Sequence, residues 1–534
     1  MRRAAKDSER RLDLRWACEA RAVSDSPAEL LHAVEQRRQT VSAGLSAKHR
    51  SAFGQFFTPC GPADFLAGLL DLPESGVLRV LDPGAGIGSL SAAVVARVVE
   101  ERPNLTVEIT AFELDAVLIP HLVATLEACA ATAKKHGCHV SFDARQANFV
   151  EYASGWLFEE PGEFDAVIAN PPYKKVGTSS PERVAAESRG LRASNLYTIF
   201  TGLAAELLAN RGQISLIVPR SWANGPYHEP FRRYLLDRVS LDFLHVYEER
   251  GKVFADADVL QENVVLHAVR EPQAEMVRLS RGTGEGDARV ERVVPVGEIV
   301  RPDDPHAFVR IPVDARATRI AEQMAELPAT LADLDLTIST GRVVDFRMKD
   351  NLRLDVSAGT VPLIYPGHLR DGRIVWPLPG SKKPNALHRC DETESLLLPN
   401  ETFVLVKRFS AKEERRRVVA AVCGPDDLPG DVVGYENHLN VYHRRNHGLP
   451  LLLALGLSAF LNCTLVDDYV RSFSGHTQIN AADLRQLRYP SVDELVRLGG
   501  ALSAQSWPGQ GKLDAMVADY LPTVSEPLVD LQSV

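Results

Sequence analysis

The feature of the sequence that most constrains the fold is a series of short apolar, β-prone segments separated by polar turns and helical patterns. The first segment, residues 77–81, leads through a glycine-rich turn into a helix at residues 90–100. Residues 107–112 and 140–142 are the next two strands, and residues 164–168 are the fourth. Strands that alternate with helices in this way form βαβ units around a parallel sheet. The sequence therefore predicts an α/β fold with a mostly parallel, twisted sheet of Rossmann-like type.

The first two strands end in residues suited to a nucleoside. Asp82, Gly84 and Gly86 lie in the turn after the first strand, and Glu113 ends the second. Glycines at a strand-to-helix turn let a ligand approach the backbone and the helix N-terminus. An acid at the end of the next strand can accept hydrogen bonds from both ribose hydroxyls. Although a glycine turn alone is a weak signal and Glu113 could be a solvated acid, the combination predicts a nucleoside-bearing cofactor.

The fourth strand runs directly into Asn170, Pro171, Pro172 and Tyr173. The two prolines stiffen this loop, and ligands of open α/β sheets bind at the carboxyl ends of strands. The Asn170 oxygen and a neighbouring backbone carbonyl can accept both hydrogens of an exocyclic amine, while Tyr173 offers a ring face for stacking. The alternative interpretation is an ordinary turn. The loop is thus a candidate site for a planar amine.

Three further places carry candidate site residues. Thr58 precedes a proline and a helix, which suits either a ligand contact or a helix cap. Asn148 could bond an adenine edge and Phe149 could pack on it, although polar-aromatic loop pairs are common. Phe254 follows a basic loop and precedes acids, so it lies either exposed at the top of the sheet or in the core. Local pattern alone does not decide among these alternatives.

Composition and breaks in pattern divide the chain into four parts. Residues 1–47 predict a helical N-terminal arm for packing or partner binding, and residues 48–275 hold the α/β domain. Residues 276–310 are polar and Gly-rich and predict a linker. Residues 311–534 lack helix-strand alternation and predict an α+β domain. Basic runs in this last part predict a phosphate-contacting surface, with a solvated face as the alternative: Lys382-Lys383, Arg389, Lys407-Arg408, Arg415-Arg416-Arg417 and Arg444-Arg445.

Composition excludes several classes of protein. The chain is 45% hydrophobic, yet no apolar run approaches the ~20 residues needed to cross a bilayer, and no signal peptide begins it. We therefore expect a cytoplasmic protein without membrane contact. Its 7 cysteines are scattered, so neither a disulfide framework nor a metal site is expected. Since the formal net charge is −10, any nucleic-acid contact must come from local basic patches.

Taken together, these motifs resemble those of the γ-class DNA (adenine-N6) methyltransferases of restriction-modification systems, and most closely the BsuBI/PstI-like group. The chain has the order of that family: a Phe-x-Thr-Pro segment, the glycine turn, the acid, the Asn-Pro-Pro-Tyr loop and a separate C-terminal domain. The resemblance covers about residues 48–490. It is carried by the motifs Gly54-Gln55-Phe56-Phe57-Thr58-Pro59, Asn195-Leu196-Tyr197, Val218-Pro219-Arg220-Ser221, Val259-Leu260-Gln261-Glu262-Asn263 and Gly475-His476-Thr477-Gln478.

The resemblance implies a class I methyltransferase domain, a C-terminal target-recognition domain, S-adenosyl-L-methionine as cofactor and double-stranded DNA as substrate. It implies that Asn170 and the Pro171 carbonyl hold the target amine, and that Tyr173 and Phe254 sandwich a flipped adenine. Asn148 stands where the family has Asp, and so keeps an acceptor oxygen but loses the charge. The implied cofactor-binding residues are Thr58, Asp82, Gly84, Gly86, Glu113, Asn148 and Phe149. A cognate restriction endonuclease is implied without a stable complex.

The hypothesis is direct transfer of the methyl group to adenine N6, which needs no cysteine nucleophile, strong base or metal. Positioning of the reactants would supply most of the rate gain, ~7–11 kcal/mol for well-oriented pairs. Two alternatives remain. Asn-Pro-Pro-Tyr loops also occur in enzymes that methylate RNA adenine or protein glutamine, and the chain could be a non-catalytic DNA-binding module on the same fold.

Overall fold

The computed structural model describes residues 25–155, 162–247, 262–282, 290–302, 304–312, 315–410, 414–473, 478–504 and 506–521. The chain divides into two units, Met1–Val313 and Asp314–Val534. Each unit has hydrophobic cores made of its own residues.

The first unit is built on one sheet. Its strands are β1 Gly76–Asp82, β2 Leu105–Glu113, β3 His139–Gln146, β4 Phe164–Ala169, β5 Leu208–Pro219, β6 Ser240–Tyr247, β7 Asn263–Val269, β8 Met276–Gly282 and β9 Val290–Pro295. In the described residues they follow the order β3-β2-β1-β4-β5-β7-β6-β8-β9. Only β7 and β9 run antiparallel to their neighbours. The predicted α/β fold with a mostly parallel sheet is confirmed.

Helices cover both faces of this sheet. The described helices are α1 Pro27–Gly44, α2 Ala47–Phe53, α3 Cys60–Gly68, α4 Ser89–Glu101, α5 Ile119–Lys135, α6 Phe149–Gly155, α7 Pro181–Ser188, α8 Leu196–Glu206, α9 Ser221–Asn224, α10 Glu229–Leu236 and α11 Val296–Ile299, with a 3₁₀ turn at Pro226–His228. Strand β4 shows why the central strands are mostly apolar. Val167 packs into the core with α6 and α8, whereas Ile168 packs into the core with α3, α4 and α5. A strand that is buried on both faces needs apolar residues at nearly every position.

Two predicted boundaries differ from the structure. Of the predicted arm, residues 1–24 lie outside the described residues, while α1 packs into the first unit through Leu30 and Val34. The predicted linker at residues 276–310 is wrong in its described part, because β8 and β9 extend the sheet there. β8 alternates exposed and buried side chains, as in Met276 and Val277. A strand with this alternation lacks the apolar run that identified the central strands.

The second unit is α+β, as predicted. Its strands are β10 Thr337–Thr340, β11 Leu352–Arg353, β12 Thr360–Ile364, β13 Leu369–Arg370, β14 Arg373–Ile374, β15 Ala386–His388, β16 Leu397–Pro399, β17 Phe403–Lys407, β18 Ala420–Cys423, β19 Val432–Tyr435 and β20 Leu439–His443. Within the described residues they form two sheets, ordered β10-β20-β17-β18-β14-β13 and β11-β15-β12-β19-β16. The helices are α12 Ala315–Glu326, α13 Asp391–Glu394, α14 Leu451–Leu461, α15 Thr464–Phe473, α16 Ala481–Arg485, α17 Val492–Ser503 and α18 Gln510–Tyr520. Short 3₁₀ turns lie at Lys349–Asn351 and Pro366–His368.

Helix α14 is the most apolar helix of the second unit, and residues 453–461 are all buried. It packs against α17 at two glycines, where a Cβ atom on Gly456 would overlap the Leu495 carbonyl and one on Gly499 would overlap the Leu452 carbonyl. Among the described residues, no single helix is long and apolar enough to span a membrane. The helices Leu451–Leu461 and Thr464–Ser472 meet such a criterion only as a pair bent by 55°.

Candidate active site

The Asn-Pro-Pro-Tyr loop at the carboxyl end of β4 is held by the segment that follows α2. Gly54 ends α2 with a left-handed backbone (φ 68°), and its carbonyl oxygen accepts the Tyr173 N–H at 3.1 Å. The Asn170 amide nitrogen donates to the Phe56 carbonyl at 2.8 Å and to the Thr58 hydroxyl at 3.1 Å. Three hydrogen bonds therefore join two segments that are distant in sequence.

These contacts fix the orientation of the Asn170 amide. Because the Phe56 carbonyl can only accept, the NH₂ group must face it, and the oxygen Oδ1 must face the other way. Oδ1 is buried and has no hydrogen-bond partner among the described residues. No described backbone donor reaches the Pro171 carbonyl either. A buried polar atom left without a partner costs about 1–3 kcal/mol, so such an atom calls for an explanation.

Tyr173 is half-buried beside these acceptors. Its hydroxyl donates to the Ile217 carbonyl at 3.1 Å, and burial raises its pKa well above the ordinary value. The ring centroid lies 5.2 Å from that of Phe56 and 6.1 Å from that of Tyr197. The ring is therefore anchored at its hydroxyl end, and the hydroxyl stays protonated.

The turn after β1 lies next to this loop. A Cβ atom on Gly84 would sit 3.8 Å from Pro172 and 3.6 Å from Phe200, so the backbone of the turn passes close to both. Gly86 has a positive φ of 58°, and its N–H donates to Glu113 at 2.9 Å. Behind the turn, Asp82 is fully buried and accepts a hydrogen bond from the Ser91 hydroxyl at 2.8 Å. Its burial raises its pKa to about 7.

Glu113 ends β2 and is 8% exposed. One carboxylate oxygen accepts the Gly86 N–H, and the other accepts the Asp115 N–H at 2.7 Å. Burial raises the pKa of Glu113 to about 7, while these backbone hydrogen bonds act in the opposite direction. The carboxyl group is thus held in a fixed position, at a pKa where its charge changes near neutral pH.

A cavity of about 250 Å³ opens among these elements. Of the predicted site residues, it is lined by Gly84, Gly86, Glu113, Asn148, Phe149, Asn170 and Pro172. Its other walls are Ala52, Phe53, Gly54, Gln55, Phe56, Phe57, Pro83, Phe112, Leu114, Ala147, Lys174, Glu182, Leu196 and Phe200. The cavity has acceptor groups at separate points and aromatic rings between them.

Five predicted residues are not part of this lining. Thr58 and Asp82 are buried behind the wall, where Thr58 bonds Asn170 and Asp82 bonds Ser91. Pro171 and Tyr173 follow Asn170 in the loop but do not line the cavity. Phe254 lies outside the described residues.

Asn148 and Phe149 line the same cavity. The Asn148 side-chain oxygen accepts the Val150 N–H at 3.0 Å, which caps the start of α6. Phe149 is buried between Phe112 and Phe200, at centroid distances of 5.6 and 5.1 Å. Asn148 therefore has a structural role that the sequence motif did not indicate, and its predicted ligand contact stays a prediction.

Four residues at the site were missed from the sequence. Leu114 lines the cavity and is 53% exposed, which is unusual for a leucine. Asp115 accepts from His49 at 2.6 Å and from Gln55 at 3.0 Å. The position of Asp115, two residues after Glu113, was the available signal. The partners His49 and Gln55 could not be deduced, because they lie 66 and 60 residues away in the chain.

The Thr58 hydroxyl gives a first testable prediction. In Thr58→Val the Asn170 amide loses one of its two acceptors, while the shape of residue 58 is nearly kept. We expect a roughly fivefold fall in the activity that depends on Asn170, since one hydrogen bond contributes about 1 kcal/mol. Thr58→Ser keeps the hydroxyl and serves as the matched control. Equal activity of Thr58→Val and wild type would show that this bond does not position Asn170.

Comparisons with known proteins give consistent matches. The family described as Eco57I restriction-modification methylase matches residues 110–254. The type II methyltransferase M.BsuBI of Bacillus subtilis is 39% identical over 88% of this chain and 94% of its own length. The type II methyltransferase M.PstI of Providencia stuartii is 35% identical over 94% of this chain and 99% of its own.

Among solved structures, the Type IIL restriction-modification enzyme MmeI in complex with DNA matches with a TM-score of 0.53. It is 11% identical, and the match covers 86% of this chain and 71% of that chain. At this identity the likeness concerns the fold alone.

Proposed function

Because the chain belongs to the type II restriction-modification methyltransferases, in the group of the BsuBI and PstI enzymes, we propose that it methylates adenine N6 in duplex DNA, with S-adenosyl-L-methionine as the methyl donor. Such methylation would protect host DNA from a restriction endonuclease of the same system. One observation supports an amine as the methylated group. The Asn170 side-chain oxygen is buried and has no hydrogen-bond partner in the described part of the chain.

The geometry at Asn170 suits an exocyclic amine. The lone pair of such an amine is drawn into the aromatic ring, which makes the nitrogen a poor nucleophile. The Asn170 oxygen and the Pro171 carbonyl can each accept one of its two hydrogens, and this pulls the nitrogen toward tetrahedral geometry. The lone pair is then directed at the methyl group. Two acceptors at this point also reject groups that lack hydrogens to donate.

The cavity lining fits the proposed cofactor. A carboxylate at Glu113 can accept from ribose hydroxyls, and the backbone at Gly84 and Gly86 leaves room for the methionine part. The apolar side chains of Leu114 and Phe57 can cover an adenine ring. When bound, S-adenosylmethionine supplies an activated methyl group on its sulfonium. Thr58 acts indirectly in this proposal, because its hydroxyl positions Asn170.

The pKa of Glu113 leads to a prediction about pH. Hydroxyl groups donate more strongly to a carboxylate than to a carboxylic acid, so binding should favour ionised Glu113 and release a proton. We expect the dissociation constant of S-adenosylhomocysteine, the reaction product, to fall about tenfold per pH unit as pH rises toward 7, and then to level off. Isothermal titration calorimetry from about pH 5.5 to about pH 8.5 measures this. In the Glu113→Gln variant the dissociation constant should no longer depend on pH in this range. An unchanged pH dependence would show that the released proton comes from another group, such as Asp82.

An adenine inside a duplex cannot reach Asn170, so the base must flip out at a cost of a few kcal/mol. Stacking on the Tyr173 ring, which is anchored through its hydroxyl, would offset part of this cost. Phe254 stays the proposed second face of the sandwich. The second unit is proposed to bind and read the DNA.

Only some of the basic residues in the predicted runs of the second unit are available to contact phosphate. Arg417 is buried, and Arg389, Lys383 and Lys407 form ion pairs with acidic side chains. Arg408, Arg416 and Arg444 each donate a hydrogen bond to a backbone carbonyl. Lys382, Arg415 and Arg445 are exposed and remain the proposed phosphate contacts. We therefore propose that fewer basic residues contact DNA than the basic runs of the sequence contain.

Transfer of labelled methyl groups tests the proposed function. The purified chain is incubated with tritiated S-adenosylmethionine and, in parallel, with duplex DNA, structured RNA and protein extract. The labelled polymer is then hydrolysed, and its products are identified by mass spectrometry. We expect N6-methyladenine from duplex DNA. Label in RNA adenine or in glutamine would replace the proposed substrate, and absence of any transfer would favour a non-catalytic DNA-binding module.

A further inference from the structure

We propose that Gln55 is a further cofactor-binding residue, whose side-chain oxygen accepts a hydrogen bond from a ribose hydroxyl of the nucleoside. This inference rests on the proposed function, because it presupposes a nucleoside cofactor in the cavity. Gln55 lies between Gly54 and Phe56, the two residues whose carbonyls hold the Asn-Pro-Pro-Tyr loop. Gln55 belongs to the Gly54-Gln55-Phe56-Phe57-Thr58-Pro59 motif, but that pattern alone assigns no role to its side chain.

A hydrogen bond at its nitrogen end fixes the orientation of the Gln55 side-chain amide. Its nitrogen Nε2 donates to the Asp115 carboxylate at 3.0 Å, and the same carboxylate oxygen contacts His49 Nε2 at 2.6 Å. The Asp115 side chain is 3% exposed, and its other oxygen accepts the Val117 N–H at 3.0 Å. Because a carboxylate cannot donate, Gln55 must present its NH₂ group to Asp115.

The remaining atom of that amide is an acceptor without a partner. The oxygen Oε1 of Gln55 is buried, and no described group donates to it. Gln55 also lines the cavity. This is the situation of the Asn170 oxygen, in which the nitrogen end is bound by protein and the oxygen end is left for a ligand. Two such side chains in one cavity indicate two places where a ligand must supply hydrogen-bond donors.

The position of Gln55 indicates which part of the cofactor it meets. Asp115 binds Gln55 through its side chain and donates its own N–H to Glu113 at 2.7 Å. Gln55 and Glu113 are therefore linked through one residue, and both line the cavity. Glu113 is the acceptor assigned to the ribose, and both its oxygens already accept one backbone N–H each. A ribose has two hydroxyl donors, so a second acceptor beside Glu113 satisfies both.

The test compares the affinity for three probes, S-adenosylhomocysteine and its 2′-deoxy and 3′-deoxy analogues, in wild type and in Gln55→Met. We expect Gln55→Met to bind the parent compound about tenfold more weakly. The analogue that lacks the hydroxyl bound by Gln55 should bind wild type and variant equally. The other analogue should lose affinity for Gln55→Met by the same factor as the parent compound. Calorimetry gives these constants without any catalytic step.

The exposed Gln36 on α1, whose side chain contacts that of His32, supplies the matched control Gln36→Met, expected to bind all three probes as wild type does. Asp115→Asn is the second variant, since its amide can donate to Gln55 and turn the Gln55 oxygen away from the cavity. This variant should bind the parent compound more weakly than the wild type does. It should bind the analogue that lacks the hydroxyl contacted by Gln55 as tightly as the wild type does.

Undiminished affinity of Gln55→Met for the parent compound would overturn the inference, as would an equal loss for all three probes. If wild type binds none of the probes, the proposed function itself fails. The two failures are thus distinguishable in a single set of titrations.

Discussion

Replacing Asn170 by alanine is expected to reduce methyl transfer by about 10³-fold or more, while leaving the affinity for S-adenosylhomocysteine within about twofold of wild type. The variant loses the oxygen that we propose accepts a hydrogen of the target amine. Removal of one preorganised hydrogen bond to a developing charge typically costs about 2.7–4 kcal/mol in the barrier, or roughly 10²–10³ in rate. Asn170 also joins the loop to the Phe56 segment, and loss of that positioning should add to the effect. Single-turnover transfer assays and calorimetry measure the two quantities separately.

Two companion variants make the Asn170 experiment specific. Asn104 is exposed in the turn directly before β2, away from the carboxyl ends of the strands, so Asn104→Ala should leave both transfer and binding unchanged. Asn170→Asp keeps an acceptor oxygen but cannot donate to the Phe56 carbonyl, and we expect activity between those of alanine and wild type. Transfer at the wild-type rate by Asn170→Ala would exclude the role assigned to Asn170.

The second large effect concerns the fold of the second unit. Gly499→Ala places a methyl group against the Leu452 carbonyl in the contact between α17 and α14. Because this obstacle is helix backbone, the helices must separate, and we expect a destabilisation of about 3 kcal/mol, at the upper end for overpacked cores. A methyl group on the neighbouring Gly500 would have open space around it, and this residue is only partly buried. Gly500→Ala should instead stabilise by up to about 1 kcal/mol through helix propensity.

Urea unfolding measures the free energy of unfolding of both variants. We expect it to be lower than that of the wild type for Gly499→Ala and higher for Gly500→Ala. We further expect Gly499→Ala to lose affinity for duplex DNA at temperatures where the wild type is folded, with binding of S-adenosylhomocysteine retained by the first unit. Equal unfolding midpoints for Gly499→Ala and Gly500→Ala would contradict the close packing of α14 on α17.

The central strands and the ends of those strands were predictable from the sequence. β1, β2 and β4 are buried on both faces, so each reads as an apolar run, and each is followed by residues that a ligand site requires. The positions of Glu113 and Asn170 at the carboxyl edge follow from this pattern and from parallel strand order. β8 could not be found in the same way, because exposed and buried side chains alternate at its start and interrupt the apolar run.

The details that determine the chemistry of the site come from contacts between distant residues. Asn170 binds Phe56 across 114 residues, and Gln55 binds Asp115 across 60. Periodicity and local propensity contain no information about such pairs. The capping role of Asn148 was missed for another reason, since the helix that it caps is short and begins with the aromatic Phe149.

A structure of the chain with a stable cofactor analogue and duplex DNA tests the central claim most directly. We predict an adenine outside the helix stack, with its N6 atom about 2.7–3.2 Å from both the Asn170 oxygen and the Pro171 carbonyl. An Asn170 oxygen that is bonded to a protein group, or that points away from any extruded base, would contradict the account.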